Sequence, residues 1–436
     1  MNETRVGLIG WGVVGTGTAR LLTEDADLIR ERLGWPLVLR RIADLDIERP
    51  RPGRVDPAIL TTDAGQVLRD PDIEIVIELI GGLEPARTFM LEAIQAGKHV
   101  VTANKALLAT HGPEIFAAAQ EYGVDVLFEA SVGGCIPIVR VLKEGLTANR
   151  IQRFFGILNG TANYILTKMS TEQVDFDAAL GQAQALGFAE VDPSFDIDGV
   201  DTAHKLALLV SLAYGLKIDL DKIYVEGIRG LSPADIQFAD EFGYAIKLLA
   251  IAMQNGPAIE ARVHPTMLPK DHVLSGVSGP FNAILFNGHA AGDILLYGQG
   301  AGMMPTASAV VSDVIELARD IASGARRRVP PLAWPRIGVN GLSLRSIEEI
   351  ITHYYFRFSV LDQPGVLSRI TGILGNHRIS IKAVIQKGRE MRGSVPVVML
   401  THEAREADVK QALSEIDALD VVRDPTVRLR VEGLAE

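Results

Sequence analysis

The sequence predicts an α/β chain in three parts: a doubly wound parallel sheet, an α+β middle and a compact ferredoxin-like unit at the end. Three observations predict it. Strands and helices alternate over the first 130 or so residues, as a parallel sheet with crossover helices requires. After Pro137 that alternation stops and the stretch that follows is no repeat of it. The last stretch then runs strand, helix, strand, strand, helix, strand, the split βαβ order. The expected boundaries are 1–136, completed by a helix at about 303–325, then 137–302, a linker over 326–350, and 351–436.

Each element has a local reason. RVGLIG reads as a buried strand and VVGTGTARLLTE as the helix after it. PLVLRRIADLD, IEIVIELIGG and GKHVVTA are the next strands, with MLEAIQAG a helix between the last two. IFAAAQEYG is a helix stopped by Gly123, and VDVLFEAS is a fifth strand. FFGILNGTANYILTKM enters a turn and then a helix, DTAHKLALLVSLAYG is helical, and AIEARVHPTML and GDILLYGQG are short strands. GMMPTASAVVSDVIELARDIASG is a long helix, followed by a Pro/Gly-broken linker in which Arg326, Arg327 and Arg328 form a solvated run. In the final unit HYYFRFSVLD, ISIKAVIQK, VPVVMLTH and VVRDPTVRLRV are strands. VLSRITGILGNH and EADVKQALSEIDAL are helices, and GREMRGS is a hairpin loop.

Composition narrows the function. The 436 residues are 47% hydrophobic and 22% charged, ordinary for a soluble globular protein with two or three domains. No run of about 18 apolar residues occurs, which argues against a membrane span, and no leader is evident. A net charge of -11 argues against nucleic acid as the main partner. Cys135, the one cysteine, has no partner for an internal disulfide, which points to a reducing cytoplasm.

Gly10, Gly12 and Gly15 form GWGVVG between a strand and a helix. The first glycine permits the tight turn, the second lets backbone approach a pyrophosphate, and the third lets helix and strand pack closely. This predicts a Rossmann-type dinucleotide-binding domain. Asp44, at the end of the second strand, is placed to accept the adenosine ribose hydroxyls and to repel a 2′-phosphate, which favours NAD. Arg40, Arg41, Arg49 and Arg51 nearby leave NADP open. Trp11 is expected to cover the loop.

EVDPSFDIDGVDTAHK crowds Glu190, Asp192, Asp196, Asp198 and Asp201 ahead of Lys205. An EF-hand register with Gly199 at position 6 puts Lys205 at position 12, where a bidentate acid belongs, so calcium is excluded. Asp201 and Lys205 instead share a helix face at i, i+4. The run beyond Lys205 is apolar, so this lysine sits where water is scarce, suited to donate a proton with Asp201 fixing it. Glu190 and Asp196 remain to accept a substrate ammonium. His204 is expected to pack or hydrogen-bond on the helix, and Phe154 and Phe155 to be core.

AQALGFAEVDPSFDIDGVDTAHK resembles the signature of homoserine dehydrogenases. VVTANKALL, EASVGGCIP, GILNGTANYIL and GAGMMPTASAVVSD are similar to segments of the same family, in the same order. DQPGVLSRIT looks like the strand–turn–helix mark of an ACT domain. The resemblance implies NAD(P)-dependent interconversion of aspartate 4-semialdehyde and homoserine, in threonine, methionine and isoleucine biosynthesis. It implies that 137–302 binds substrate and dimerises, and that the chain forms a homodimer or homotetramer. Lys205 would be the proton donor, Lys105 the second lysine, and Asp201 the residue that orients substrate or relay. Glu190, Asp196, Thr161 and Gly160 would meet the substrate. Gly10, Trp11, Gly12, Val13, Val14, Gly15, Asp44, Ile80, Gly81, Thr102, Lys105 and Gly302 would meet the cofactor. Backbone carbonyls of Glu129, Val132, Gly134 and Ile136 would hold sodium or another monovalent cation, although Cys135 stands where the family pattern has a third glycine. Asp362, Gly365 and Asn376 would bind an effector, with threonine the natural candidate. Two rivals remain: an aspartate-semialdehyde dehydrogenase-like enzyme using Cys135 as nucleophile, with a small turn residue as the plainer role for that cysteine, and a non-catalytic amino-acid sensor built on the ACT-like unit.

Overall fold

The structure, a computed structural model, describes residues 3–217, 219–386 and 394–433. The chain forms two compact units: Met1–Gly160, Asp201–Ile223 and Phe281–Leu342 make the first, and Thr161–Val200, Tyr224–Pro280 and Ser343–Glu436 the second. Each collects segments from across the linear division expected from the sequence. Elements are numbered along the chain.

The first unit opens with β1 (Thr4–Ile9), α1 (Val13–Glu24), α2 (Ala26–Leu33), β2 (Leu37–Ala43), β3 (Leu60–Thr61) and α3 (Gly65–Leu68). β4 (Ile75–Glu78), α4 (Ala86–Gln95), β5 (His99–Thr102), α5 (Lys105–Tyr122) and β6 (Val126–Leu127) follow. The six strands lie in the order β3-β2-β1-β4-β5-β6, and every neighbouring pair is parallel. That order reverses between β1 and β4, which opens a crevice at the carboxyl ends of those strands. Val6, Leu8, Ile42, Ile75, Ile77 and Val101 are buried because helices cover both faces. α5 ends, as its sequence predicts, at Gly123 in the left-handed conformation (φ 69°).

Three details differ from expectation. EDADLIRERL contains the helix α2, stopped by Gly34 at φ 96°. The short strand β3 precedes IEIVIELIGG in the sheet. VDVLFEAS keeps only two strand residues, because Glu129–Ser131 turn into a 3₁₀ helix.

The same unit holds α6 (Ile138–Arg140), β7 (Ile151–Ile157), α10 (Val200–Tyr214), β11 (Phe281–Gly288), β12 (Gly292–Gln299) and α12 (Met303–Ser323). β7, β11 and β12 form an antiparallel ladder. α12 packs on α1 so closely that a Cβ on Gly17 would lie 2.7 Å from the Met303 carbonyl oxygen. Arg328 is exposed as expected, but it also pairs with Glu144 and Glu316.

Beneath the Glu129–Ile136 loop lies a buried polar cluster. The Glu129 carboxylate accepts the Val139 and Arg140 N–H groups, each at 2.8 Å, and Asp313 accepts the Glu129 N–H at 2.8 Å. Burial first, and then the Glu129 charge, push the Asp313 carboxyl up to about 8. Between roughly pH 4, the unfolded value, and about 8 the folded chain keeps a proton that the unfolded chain has released. Stability from this site therefore falls as pH rises through that window. Asp313→Asn should flatten the dependence. Thermal melts from pH 6 to 9 should show the unmodified chain losing roughly 3 kcal/mol more than the variant, and equal losses would contradict this.

The second unit contains α7 (Gly160–Glu172), α8 (Phe176–Ala185), α9 (Ser194–Ile197), β8 (Tyr224–Val225), α11 (Pro233–Glu241), β9 (Tyr244–Asn255), β10 (Ala258–Pro269) and β13 (Ser343–Leu344). β14 (Ile351–Val360), α13 (Val366–Asn376), β15 (Ile381–Gln386), β16 (Val395–Thr401), β17 (Ala404–Arg405), α14 (Glu406–Asp417) and β18 (Val422–Val431) complete it. Its sheet runs β9-β10-β18-β14-β16-β15. The terminal βαββαβ order is the expected one, and Tyr354, Phe356, Phe358, Ile370, Val397 and Ile416 form its core. Of the GREMRGS loop, residues 388–393 lie outside the described residues. AIEARVHPTML belongs to a strand of twelve residues, not a short one, paired along its whole length with β9.

Candidate active site

The cofactor crevice is built from glycines whose geometry is specific. Gly10 has φ 99°, and a Cβ on it would lie 2.5 Å from the Leu79 carbonyl carbon. A Cβ on Gly15 would lie 2.0 Å from the Gly10 carbonyl oxygen. Gly12 is different: a Cβ there would meet no protein atom within 4 Å, and its φ of −73° is open to any residue. The fold does not need glycine at position 12, whereas a phosphate approaching the backbone does. Gly12→Ala should leave the melting temperature nearly unchanged and weaken dinucleotide binding by tenfold or more. Titration of the dinucleotide against both proteins checks this.

Neighbouring loops complete the crevice. Val13 and Val14 open α1. The Ile80 and Gly81 N–H groups are held by the buried Glu78 carboxylate, which also accepts the Thr102 hydroxyl at 2.6 Å. Burial raises Glu78 above the usual carboxylate range. Gly302, at φ 125°, caps the start of α12. Trp11 is buried and roofed by Arg51, whose guanidinium carbon lies 4.3 Å from the ring centroid. Asp44 accepts the Trp11 N–H at 2.5 Å and the Asp46 N–H at 2.9 Å, with Arg51 at 3.5 Å. Its carboxylate thus braces the loop, a role the sequence reading did not give it. Arg40 is tied to Asp70 and Asp72, so Arg51 is the arginine standing at the loop.

The lysines and the aspartate come together in the first unit. β5 delivers Lys105 to the first turn of α5, capped by the Asn104 side chain, which accepts the Leu107 N–H. Leu158 and Asn159 directly follow β7, beside the first turn of α10. There Lys205 donates to the Leu158 carbonyl at 2.6 Å and to Asp201 Oδ2 at 2.7 Å. Lys105 Nζ lies 3.1 Å from Asp201 Oδ1. Asn159 Nδ2 donates to Asp201 Oδ2 at 2.9 Å. Burial alone would raise Asp201, but Lys205 and Lys105 outweigh it and hold the carboxyl well below its usual range. Burial holds the His204 imidazole below its ordinary value. One permanent carboxylate therefore fixes two ammonium groups, an arrangement able to donate a proton to a developing alkoxide and stabilise it. Asn159 was missed as a site residue. Its signal was its place in GILNGTANYIL, directly before Gly160 and Thr161.

The second unit carries the remaining acids. Thr161 donates to the Phe188 carbonyl at 2.7 Å and to Asp196 Oδ2 at 3.0 Å. Glu190 is exposed, and its backbone carbonyl accepts from Gln184. Asp192 caps Ser194, and Asp198 pairs with Arg229, so both have structural partners.

Among the described residues no group of three or more His, Cys, Asp or Glu is set to hold a metal ion. A carbonyl site is a separate matter. The Glu129 carbonyl accepts the Val132 N–H at 3.3 Å and the Ile136 carbonyl the Ile138 N–H at 2.7 Å, while those of Val132 and Gly134 have no such partner among the described residues. Cys135 is exposed, not packed, and its thiol donates to the Gln299 carbonyl at 3.3 Å. Asp362 and Gly365 precede α13, and Asn376 is its last residue, about 15 Å away along the helix.

Residues 10–129 match the family described as "Homoserine dehydrogenase, NAD binding domain", 137–315 that described as "Homoserine dehydrogenase", and 354–421 the ACT domain. A homoserine dehydrogenase of Pseudomonas aeruginosa is 44% identical over 436 residues, covering 100% of both chains. The chain belongs to the homoserine dehydrogenase family. A homoserine dehydrogenase of Bacillus subtilis is 39% identical over 99% of both chains. The crystal structure of a homoserine dehydrogenase from Thiobacillus denitrificans superposes with a TM-score of 0.92 at 44% identity, covering 99% of each chain. With its NAD-binding, catalytic and ACT domains, the chain takes a nicotinamide dinucleotide.

Proposed function

We propose that the enzyme interconverts L-homoserine and L-aspartate 4-semialdehyde by hydride transfer, within threonine, methionine and isoleucine biosynthesis. The observation that carries this most is the Lys105–Asp201–Lys205 triad, two ammonium groups on one buried carboxylate. The bound dinucleotide supplies or accepts the hydride. Lys205 gives a proton to the aldehyde oxygen in reduction and takes it back in oxidation. Lys105 would stand near the nicotinamide and substrate, and Asp201 keeps both lysines aimed. Glu190 and Asp196 receive the substrate ammonium, with Thr161 and Gly160 lining the same end. Gly10, Gly12 and Gly15, with Ile80, Gly81, Thr102 and Gly302, hold the dinucleotide.

Asp44 favours NAD, and Arg51 beside it is the group that would meet a 2′-phosphate. The carbonyls of Val132 and Gly134, with those of Glu129 and Ile136, form the monovalent-cation site. The ACT unit binds threonine as feedback inhibitor, and the enzyme works as a homodimer or homotetramer. Reduction of aspartate semialdehyde with deuterated reduced nicotinamide tests the reaction: one deuterium should appear on the alcohol carbon of homoserine. Phosphate-dependent formation of an acyl phosphate, abolished by Cys135→Ser, would replace this proposal with the thiol enzyme.

A further inference from the structure

The second unit contains a cavity unrelated to the acids of the 190–198 segment. Its volume is about 310 Å³, and it lies between α7, the end of α11, the start of β9 and the 270–278 loop. This is the lower end of the range for small-molecule sites, too small for a dinucleotide. Lys247 lines it from β9, within the apolar run YAIKLLAIAM, and is 5% exposed.

A lysine there is costly. A buried ammonium is normally paired with a carboxylate. Lys247 is not: among the described residues its partners are the Val277 carbonyl at 2.5 Å and Asn163 Oδ1 at 3.4 Å, both uncharged. Two bonds use two of its three donors, the second of them long. Burial pulls the amine down to about 8, as expected for a charge without a counter-ion. At the rim Lys270 and Asp240 pair at 2.6 Å, both partly exposed. The lining thus carries two ammonium groups against one carboxylate, a local excess of one positive charge in a chain whose net charge is -11. Of the hydroxyls, those of Thr167, Thr171, Ser275 and Ser278 are turned onto backbone carbonyls, while those of Ser170 and Tyr244 have no intramolecular acceptor among the described residues.

We propose that this cavity binds a small monocarboxylate, its carboxylate received by Lys247 and Ser170 beneath the Lys270–Asp240 rim. One negative charge balances the lining. A doubly charged oxyanion such as phosphate overcompensates it and meets Asp240. The site stands apart from the dehydrogenase reaction and does not depend on it.

The test uses lactate as probe, inorganic phosphate as the dianionic comparison and sodium chloride at matched ionic strength, with melting temperature and calorimetric titration as readouts. Three proteins are compared: the full chain, Lys247→Met, which keeps the stem and removes the charge, and Ser170→Phe, which fills the cavity from an exposed helix position. Lactate should raise the melting temperature of the unmodified chain above the chloride control, by mass action on the folded state. Both variants should bind lactate at least tenfold more weakly. In the absence of lactate Lys247→Met should melt no lower than the unmodified chain, and Ser170→Phe guards against a misfolded methionine variant. Equal lactate responses in all three proteins, no response in the unmodified chain, or a Lys247-dependent response to phosphate exceeding that to lactate would each overturn the proposal.

Discussion

Lys205→Met is expected to lower kcat by roughly two to four orders of magnitude, the range for losing a positioned acid–base group. The ammonium sits at the end of β7, held by the Leu158 carbonyl and Asp201, and a methionine stem occupies the same place without a proton to give. α10 should survive, since its neighbours Leu206, Leu208 and Leu209 are fully buried and apolar. The KM for the dinucleotide should hardly move, because the glycine loop is untouched. A fall in kcat of less than tenfold would remove Lys205 from the chemistry.

Asp201→Asn should be worse for the fold and as severe for catalysis. It removes the one charge between Lys105 and Lys205 and leaves Lys205 buried beside a neutral amide. Breaking a buried pair in this way costs about 3–5 kcal/mol. We expect a clear drop in melting temperature together with a loss of kcat of roughly a hundredfold or more, read by calorimetry and steady-state kinetics on the same preparation. The pH behaviour is a separate check. Two lysines hold Asp201 below the usual carboxylate range. Its contribution to stability is therefore complete above the unfolded value of about 4 and is lost only as pH falls toward its lower folded value. No limb of the rate profile at neutral or mildly acid pH should belong to it.

The parts that were legible in the sequence are those with a local rule. GWGVVG between a strand and a helix, Gly123 as a helix stop, and Asp201 four residues before Lys205 each rest on neighbours in the chain. β9 was missed because YAIKLLAIAMQN is apolar without alternation, so neither helical nor strand periodicity marks it. α2 went unread because it is short and buries only Ile29 and Leu33, too few apolar positions to mark a helical period. Contacts between distant segments were not legible at all. The Asp44–Trp11 brace spans 33 residues and the Asn159–Asp201 bond 42, and neither leaves a periodic trace. Asp362 and Gly365 precede α13 and Asn376 ends it, a separation along the helix that sequence proximity alone does not show.

The most direct measurement is steady-state turnover of L-homoserine with NAD⁺ and with NADP⁺, with and without threonine, following the near-ultraviolet absorbance of the reduced nicotinamide. The proposed function predicts reduced nicotinamide with homoserine present, NAD⁺ the better substrate, and slower turnover when threonine is added. A folded protein that forms no reduced nicotinamide with either dinucleotide would contradict the account at its centre.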